Sequence, residues 1–269
     1  MLFRSYYKTP GWIIFIVIFT AICGLVAVIF AGGAGKRMNS KDRPKQFLMV
    51  HGKPIIVHTI EHFQRHLEID AVVVVCIEAW ITYMEELAYH YRLDKIKKIV
   101  PGGKTGQLSI YNGLRCAAEM FGRKGNIVLI HDGVRPLIDS ETITKNIRGV
   151  EKNGSAVTCS PVKETVILCE GNQKVGDVVP RSQSFIAKAP QSFLLDKILT
   201  VEEQALADGY VNAIDSCTLM KNYGQEICIV EGSYENIKIT TPEDFYTFRA
   251  ISDARENRQI LAVDRKSVV

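Results

Sequence analysis

Continuous apolar runs alternate with amphipathic stretches along most of the chain, and this alternation predicts the secondary structure. Residues 25–30 and 71–77 are apolar throughout, which is typical of strands covered on both faces in a parallel sheet. Residues 54–66 carry apolar positions at helical spacing, with a proline in the first turn. The same criteria predict strands at 96–100, 126–130, 155–160, 226–230 and 236–239, and helices at 79–93, 107–121, 141–151, 192–207, 215–222 and 241–257.

Because strands alternate with helices, we expect an α/β fold: a Rossmann-like, three-layer parallel sheet with right-handed crossovers. Ligands bind at the carboxyl ends of the strands in such sheets. Three loops fall at predicted strand ends: the glycine-rich turn at 31–35, the loop at 102–106 and the segment at 131–136. The sequence therefore predicts that its candidate chemistry lies along one edge of the sheet.

Residues 162–188 break this pattern. Apolar and polar positions alternate there around a Gly171-Asn172 turn, which predicts a hairpin or a pair of extended arms without a helix. These strands have no obvious place in the parallel sheet, so we expect an arm that protrudes from a domain covering residues 25–257. Residues 258–269 show no clear pattern and are assigned to a tail.

Composition narrows the class of protein. With 269 residues, 47% of them hydrophobic, the chain suits one sizeable domain, and its net charge of +4 gives no reason to expect a nucleic-acid partner. The cysteines form no C-x-x-C pair and mostly lie in apolar segments, which favours buried free thiols in a reducing cytosol and a cytoplasmic protein. They are Cys23, Cys76, Cys116, Cys159, Cys169, Cys217 and Cys228.

Three histidines on the helix predicted at 54–66 raise the question of a metal site. His58, His62 and His66 have i, i+4 spacing, but no cysteine or second ligand cluster lies near them in the sequence. This spacing also occurs on ordinary solvated helix faces. We therefore expect a solvated polar face here and assign no metal ligand in the chain.

The N-terminus carries an apolar run over residues 12–30, preceded by Arg4 and Lys8. If residues 25–30 form a strand, 14 residues remain at 11–24. A helix of that length spans roughly 21 Å, which is less than the roughly 30 Å hydrocarbon core of a membrane. Residues 1–24 are thus a short anchor, a signal-like segment or an extension outside the working domain, and membrane contact is expected only for an anchor.

The glycine-rich turn follows the first strand and precedes a group of cations that includes Lys36 and Arg37. Glycine lets the backbone approach a ligand and present several N–H groups, which suits a phosphate. A P-loop is excluded, because Arg37 stands where that motif needs serine or threonine. A dinucleotide-binding motif matches weakly, since Met38 occupies its third small position and residues 53–57 lack the acid that would bind a ribose. A nicotinamide-dependent oxidoreductase is therefore a remote alternative, and a tight turn beside a solvated basic loop is another.

The motifs AGGAGKRM at 31–38 and RPKQF at 43–47 resemble the signature of the cytidylyltransferases that act on 2-C-methyl-D-erythritol 4-phosphate or ribitol 5-phosphate. Three later motifs resemble the same family in the same order, so that the resemblance covers roughly residues 25–255. They are HDGVRP at 131–136, APQSF at 189–193 and NIKITTPEDF at 236–245.

This resemblance implies three groups of site residues. Those implied in catalysis are Arg37, Lys45, Arg181 and Lys238. Those implied around the nucleotide are Phe30, Ala31, Gly32, Gly33, Gly35, Gly103, Lys104, Ser109 and Gly133. Those implied around the acceptor are Asp132, Arg135, Thr165, Arg181 and Lys238. The chain departs from the family at Gly106 and Leu108, where relatives often carry an arginine and an acidic or polar residue.

The implied reaction joins a polyol phosphate to the α-phosphate of CTP, forms a CDP-alditol and releases pyrophosphate. Mg²⁺ is implied as the cofactor, held mainly by triphosphate oxygens. The arm would reach a partner subunit, which implies a homodimer in which Thr165 and Arg181 contact the neighbour's acceptor. KPIIVHT at 53–59, HDGVRP and APQSF look closer to the ribitol branch, so ribitol 5-phosphate is favoured over 2-C-methyl-D-erythritol 4-phosphate. A membrane-tethered or inactive CTP-binding protein is a further alternative.

Overall fold

The computed structural model of the chain describes residues 24–33, 43–171 and 173–266, with only the backbone from residue 258 onward. The described strands are β1 (Leu25–Ala31), β2 (Met49–Val50), β3 (Lys53–Pro54), β4 (Ala71–Cys76), β5 (Ile96–Pro101), β6 (Ile127–Asp132), β7 (Ser155–Pro161), β8 (Val166–Glu170), β9 (Lys174–Val179), β10 (Phe185–Leu194) and β11 (Ile229–Glu231). The described helices are α1 (Ile55–Arg65), α2 (Ile81–His90), α3 (Gly106–Phe121), α4 (Ser140–Asn153), α5 (Leu195–Ala207), α6 (Ser216–Asn222) and α7 (Pro242–Lys266).

Seven strands form one sheet in the order β11-β7-β10-β6-β1-β4-β5. β1 runs parallel to β4 and β6 on its two sides, and β4 runs parallel to β5. The α/β fold with a mostly parallel central sheet is therefore confirmed. The predicted strand at 25–30 is also confirmed, and it lies inside the sheet between β6 and β4, where strands are covered on both faces.

The exception is β10, which lies antiparallel between β6 and β7. The prediction that no part of 162–188 belongs to the sheet was wrong, because β10 begins at Phe185. The helix predicted at 192–207 begins only at Leu195, since residues 192–194 complete β10. A strand that returns from the protruding arm enters the sheet from the end opposite to the crossover strands, and this direction explains its antiparallel pairing.

Helices cover both faces of the sheet and give the expected three layers. On one face, side chains of β1 and β4 pack with α1, α2 and α4, and on the other face they pack with α3, α5 and α6. Gly113 allows α3 to lie close to the sheet, because a Cβ atom there would stand 2.5 Å from Cγ1 of Val28 and 2.7 Å from Cγ2 of Val75. The start of α3 is thereby held at the carboxyl ends of β1 and β4.

The C-terminal region differs from the sequence prediction in two respects. Residues 236–239 form no strand; instead, the backbone N–H of Ile239 donates to the carbonyl of Val134 in the loop after β6. Helix α7 starts at Pro242 as predicted, with the Asp244 carboxylate accepting from the N–H groups of Thr240 and Thr241, but it continues to Lys266 rather than ending near Asn257. Tertiary contacts with the 134–137 loop, not strand pairing, therefore hold residues 236–239 in place.

The histidines of α1 do not form a solvated face, contrary to the prediction. His58 and His62 each bond a backbone carbonyl, those of Val50 and Pro136, at 3.0 and 3.1 Å. The ring of His66 is buried and lies 3.0 Å from the hydroxyl of Thr144. Burial lowers the pKa of all three rings. They fix α1 to neighbouring loops and to α4.

Within the described ranges, which begin at residue 24, no helix combines the length and the apolar character needed to cross a membrane. The predictions for residues 1–23 lie outside the described residues. Of the cysteines, the structure describes six, all of them free thiols. Cys76, Cys116 and Cys159 are buried as expected, whereas Cys169 is exposed because it lies in the hairpin of the arm.

Candidate active site

The carboxyl ends of β1 and β6 open into a cavity of about 270 Å³. Its wall on the sheet side includes Phe30 and Asp132, and Lys188 comes from β10. The start of α3 and the 208–215 loop, which we define as residues 208–215 between α5 and α6, supply further lining residues. A cleft therefore lies at the carboxyl ends of the strands, where ligands usually bind in parallel α/β sheets.

Asp132 holds two cations at this cavity. Its Oδ2 atom lies 2.8 Å from Nε of Arg135, and its Oδ1 atom lies 2.7 Å from Nζ of Lys238. Arg135 is itself buried and donates from Nη1 to the carbonyl of Asn236 at 3.0 Å. Burial alone would raise the pKa of Asp132, but the two cations outweigh burial and lower that pKa. The carboxylate is therefore ionised at neutral pH, and it fixes both cations beside the cavity.

Lys45 is brought to the same region by a short 3₁₀ turn, Lys45–Phe47. Its Nζ atom donates to the carbonyl of Ile239 at 3.0 Å, and the next residue, Gln46, donates to the carbonyl of Ala31 at 2.7 Å. Phe47 is fully buried and stacks on Trp80, which anchors the turn in the core. Packing thus gathers Lys45, Asp132, Arg135 and Lys238, although they are far apart in the sequence.

The 102–105 loop, which we define as residues 102–105 between β5 and α3, is shaped by Ser109. The Ser109 hydroxyl accepts from the N–H of Gly103 at 2.9 Å and donates to the carbonyl of Thr105 at 2.8 Å. Gly103 is needed for this conformation, because a Cβ atom there would stand 2.5 Å from Cβ of Leu108. Lys104 is exposed at the tip of the loop. Ser109 and Gly103 therefore form one compact turn.

The remaining backbone groups of the predicted nucleotide site lie at the ends of β1 and β6. The N–H of Gly133 donates to the carbonyl of Phe30 at 2.8 Å, and the carbonyl of Gly133 accepts from Thr59 at 3.0 Å. Gly32 and Gly33 follow Ala31 at the end of β1. Gly35 and Arg37 lie outside the described residues, so their predicted roles stay predictions.

The two site residues predicted on the arm lie together but apart from this cluster. Nη2 of Arg181 donates to the hydroxyl of Thr165 at 3.1 Å, and both residues are exposed. Neither lines the cavity that Asp132 and Lys238 line. Within one chain, the structure therefore does not bring the arm residues into contact with the acceptor residues.

Lys188 is a cavity residue for which the sequence analysis assigned no role. Its ammonium donates to the carbonyls of Ser233 and Tyr234, both at 3.1 Å. Burial lowers its pKa to about 8, and the positive charge of Arg135 adds to this effect. Its only sequence signal was its position next to the APQSF motif. The fold adds it to the site, because β10 carries it past the end of β6.

Gln107 and Glu202 are two further buried residues of the cavity that sequence analysis missed. Nε2 of Gln107 donates to Oε2 of Glu202 at 3.1 Å. Burial raises the pKa of Glu202 to about 7, and the hydrogen bond from Gln107 opposes this shift. Gln107 falls inside the family-like loop, but nothing in the sequence distinguishes Glu202 from other acidic residues of α5.

The described residues contain no group of three or more histidine, cysteine, aspartate and glutamate side chains that could hold a metal ion. Asp132 is the acidic side chain among the clustered site residues, and cations pair with both of its oxygens. This arrangement fits a metal carried by a phosphate-rich ligand better than a metal held in a protein cage.

Comparison with known families gives a clear assignment. The model of a family described as IspD, 2-C-methyl-D-erythritol 4-phosphate cytidylyltransferase, matches residues 25–253. The chain belongs to this family. Members of the family are cytidylyltransferases, a class of nucleotidyltransferase, so the resemblance stated from the motifs is confirmed. A nicotinamide-dependent oxidoreductase is excluded by the same match.

Individual relatives divide into two groups by name. The ribitol-5-phosphate cytidylyltransferase of Streptococcus agalactiae serotype III is 59% identical over 87% of this chain and 98% of its own length. The 2-C-methyl-D-erythritol 4-phosphate cytidylyltransferase of Clostridium acetobutylicum is 38% identical over 82% of this chain and 93% of its own length. The crystal structure of 4-diphosphocytidyl-2C-methyl-D-erythritol synthase from Anaerococcus prevotii has a TM-score of 0.73 and 27% identity, and it covers 86% of this chain and 98% of that one. The fold is therefore that of the cytidylyltransferases.

Proposed function

We propose that the chain is a CTP-dependent ribitol-5-phosphate cytidylyltransferase that makes CDP-ribitol and pyrophosphate. The observation that carries this proposal is the Asp132 cluster, in which one carboxylate holds Arg135 and Lys238 beside a cavity at the strand ends. Ribitol 5-phosphate is preferred as the acceptor because relatives of that name share much more of this sequence than the methylerythritol-phosphate relatives do.

In the proposed reaction, an oxygen of the acceptor phosphate attacks the α-phosphorus of CTP. A new P–O bond forms, the bond between the α-phosphorus and the bridging oxygen breaks, and pyrophosphate leaves with that electron pair. The attacking oxygen is already ionised at neutral pH, so the reaction needs no general base. It needs aligned reactants and positive charge around the transferring phosphate.

Lys45 and Arg37 are proposed to supply that charge on the nucleotide side. The ammonium of Lys45 is held by the carbonyl of Ile239, so it does not have to be ordered during the reaction. We place the nucleotide against the backbone after β1, from Phe30 to Gly33, and against the 102–105 loop. The compact turn built by Gly103 and Ser109 would keep that surface in one conformation.

Asp132, Arg135 and Lys238 are proposed to bind the acceptor. The two cations suit its phosphate, and Asp132 retains lone pairs that can accept hydrogen bonds from polyol hydroxyls. Because Asp132 orients both cations, the three residues would act as one unit.

We infer that the arm completes the site of a partner subunit in a homodimer. Both strands of its hairpin are exposed and carry large apolar side chains, among them Leu168, Val175 and Val178 at 52 to 60% exposure. An exposed apolar hairpin of this kind is typical of an interaction surface. Thr165 and Arg181, at the base of the hairpin, would then reach the neighbour's acceptor.

Mg²⁺ is part of the proposal, as a metal bound to the triphosphate whose charge it would neutralise. Removal of divalent ions with EDTA should therefore abolish turnover. We also infer a cytoplasmic enzyme, because its described cysteines are free thiols, as in a reducing compartment.

The test is an acceptor comparison with the purified full-length chain, CTP and Mg²⁺. Ribitol 5-phosphate should give pyrophosphate and CDP-ribitol, identified by mass, with a kcat/KM at least about tenfold above that for 2-C-methyl-D-erythritol 4-phosphate. The opposite preference would move the assignment to methylerythritol phosphate. CTP binding without turnover of either acceptor would contradict both enzymatic assignments and indicate an inactive binding protein.

A further inference from the structure

Three hydrogen bonds connect the first turn of α3 to the 208–215 loop. The hydroxyl of Thr105, which caps α3, donates to the carbonyl of Val211 at 2.6 Å. Gln107 donates to the carbonyl of Tyr210 at 3.0 Å and accepts from the N–H of Ala213 at 2.8 Å. These loops are more than 100 residues apart in the chain, so the fold alone creates the connection.

The amide of Gln107 is held in one orientation. Its two N–H bonds go to the carbonyl of Tyr210 and the carboxyl of Glu202, and its oxygen receives the N–H of Ala213. Rotating the amide by 180° would place its oxygen against two acceptors and its N–H groups against a donor. The side chain is only 3% exposed and Glu202 only 1%, so water does not readily replace these partners.

The two connected loops serve different sides of the cavity. The 102–105 loop leads into α3 on the proposed nucleotide side. The 208–215 loop contributes Ala213, Ile214 and Asp215 to the lining of the same cavity that Asp132 and Lys238 line. Ile214 is 89% exposed although it is apolar, so it stands at the open mouth of the cavity.

We propose that Gln107 is a positioning residue that couples the binding of the two substrates. Binding of CTP against the 102–105 loop is passed through Thr105 and Gln107 to the 208–215 loop, which then closes the acceptor side of the cavity. Glu202 holds the Gln107 amide in the orientation that makes this transfer possible. This inference rests on the proposed function, because it takes the 102–105 loop as the nucleotide side.

The other end of α3 provides a matched control. Asn126, which is 1% exposed, donates from Nδ2 to the carbonyls of Phe121, Gly122 and Lys124 and accepts from the N–H of Gly24. It fixes the C-terminal end of the same helix with a similar number of bonds, but it does not line the cavity. Asn126→Ala therefore reproduces the loss of a buried amide, at the C-terminal end of α3, without touching the proposed connection.

The experiment measures the affinity for ribitol 5-phosphate by calorimetry, with and without a non-hydrolysable CTP analogue. In the wild-type protein the analogue should raise this affinity by roughly 5- to 150-fold, the usual range for coupled sites. Gln107→Ala should reduce that factor to less than about twofold, whereas Asn126→Ala should keep it. If Gln107→Ala does not fold, Gln107→Leu, which keeps most of the side-chain volume but has no polar atom, carries the same expectation.

Hydrogen exchange supplies a second measurement. The CTP analogue alone should slow exchange of the amides in the 208–215 loop, including that of Ala213, in the wild-type protein and in Asn126→Ala. In Gln107→Ala the slowing should be confined to the 102–105 loop and α3. Loss of both coupling and remote protection only in the Gln107 variants supports the proposal.

Undiminished coupling in Gln107→Ala, or an equal loss in Asn126→Ala, would overturn the inference and leave the proposed function standing. Wild-type protein that binds CTP and ribitol 5-phosphate independently would overturn it as well. Wild-type protein that binds neither ligand would instead contradict the proposed function, and this inference with it.

Discussion

Asp132 shows how one side chain can organise a site at the residue scale. Its partner Arg135 lies three positions further along the same loop, but Lys238 lies more than 100 positions away. The motifs identified all three residues separately. Only the structure shows that they form one ion-paired unit, in which removing the carboxylate leaves the buried Arg135 and the half-exposed Lys238 close together without their counter-charge.

Asp132→Asn should therefore lower kcat/KM for the acceptor by about 100-fold, which is the usual effect of losing one well-placed electrostatic contact. The KM for CTP should change much less, because the cluster is proposed to lie on the acceptor side. Steady-state kinetics with each substrate varied in turn would measure both effects. Glu203→Gln, which breaks the surface pair with Arg123, is the control and should leave both constants unchanged. An equal rise in the KM for both substrates would contradict this division of the site.

At the scale of elements, the arm combines a correct prediction with an incorrect one. Alternating polarity and the Gly171-Asn172 turn correctly predicted a hairpin, which the structure places at β8 and β9. The same alternation could not show that the returning strand, β10, continues into the central sheet. Alternation of apolar and polar residues indicates that a strand has one apolar and one polar face, but it does not indicate which strand it pairs with.

Exchange of the arm between subunits predicts complementation between two inactive variants. Arg181→Ala damages the arm, and Lys238→Ala damages the cavity. If the arm acts on the partner, a mixed dimer has one site with an intact arm and an intact cavity. When equal amounts of the two variants reassort at random, half of the dimers are mixed, and each mixed dimer has one intact site out of two. About a quarter of wild-type activity should therefore be restored.

This complementation is measured by assaying the variants alone and after co-refolding, with sedimentation confirming the dimer. As a control, co-refolding of Lys238→Ala with Asp132→Asn should restore nothing, because both changes lie on the cavity side. Activity no higher in the first mixture than in the control would mean that the arm acts within its own chain.

For the whole molecule, Glu202 makes stability depend on pH in an unusual direction. Its pKa rises from 4.5 in the unfolded chain to about 7 in the folded protein because it is buried. Between these values the unfolded state has lost the proton that the folded state keeps, so the free energy of unfolding falls as pH rises through this range. Above about pH 7 the loss is complete.

Glu202→Gln should remove this dependence, because a neutral amide does not titrate. Relative to wild type, its free energy of unfolding should increase between pH 4.5 and 7 by up to about 3 kcal/mol, as measured by urea denaturation at a series of pH values. Glu203→Gln on the same helix, where the side chain is 42% exposed, should not show this trend. A constant difference between Glu202→Gln and wild type across the range would show that Glu202 does not titrate in it.

The amino-acid sequence alone determined the elements and the chemistry of this protein. Apolar runs and helical spacing located the central strands and most helices, because burial on two faces or on one face constrains residue type at every position. The glycine turn and its neighbouring cations predicted a phosphate site at a strand end, because small residues let backbone N–H groups approach a phosphate. The motifs around Lys45, Asp132 and Lys238 indicated a cytidylyltransferase through their resemblance to that family.

Tertiary structure decided the features that depend on contacts between residues far apart in the sequence. It placed β10 antiparallel within the sheet, left residues 236–239 without a strand, turned the α1 histidines inward and joined Gln107 to Glu202 and the 208–215 loop. None of these contacts has a periodic signal, because each forms only when packing of the core brings separate segments together. Local pattern reports which face of an element is apolar, and packing alone decides which residues meet there and which polar side chains are buried with them.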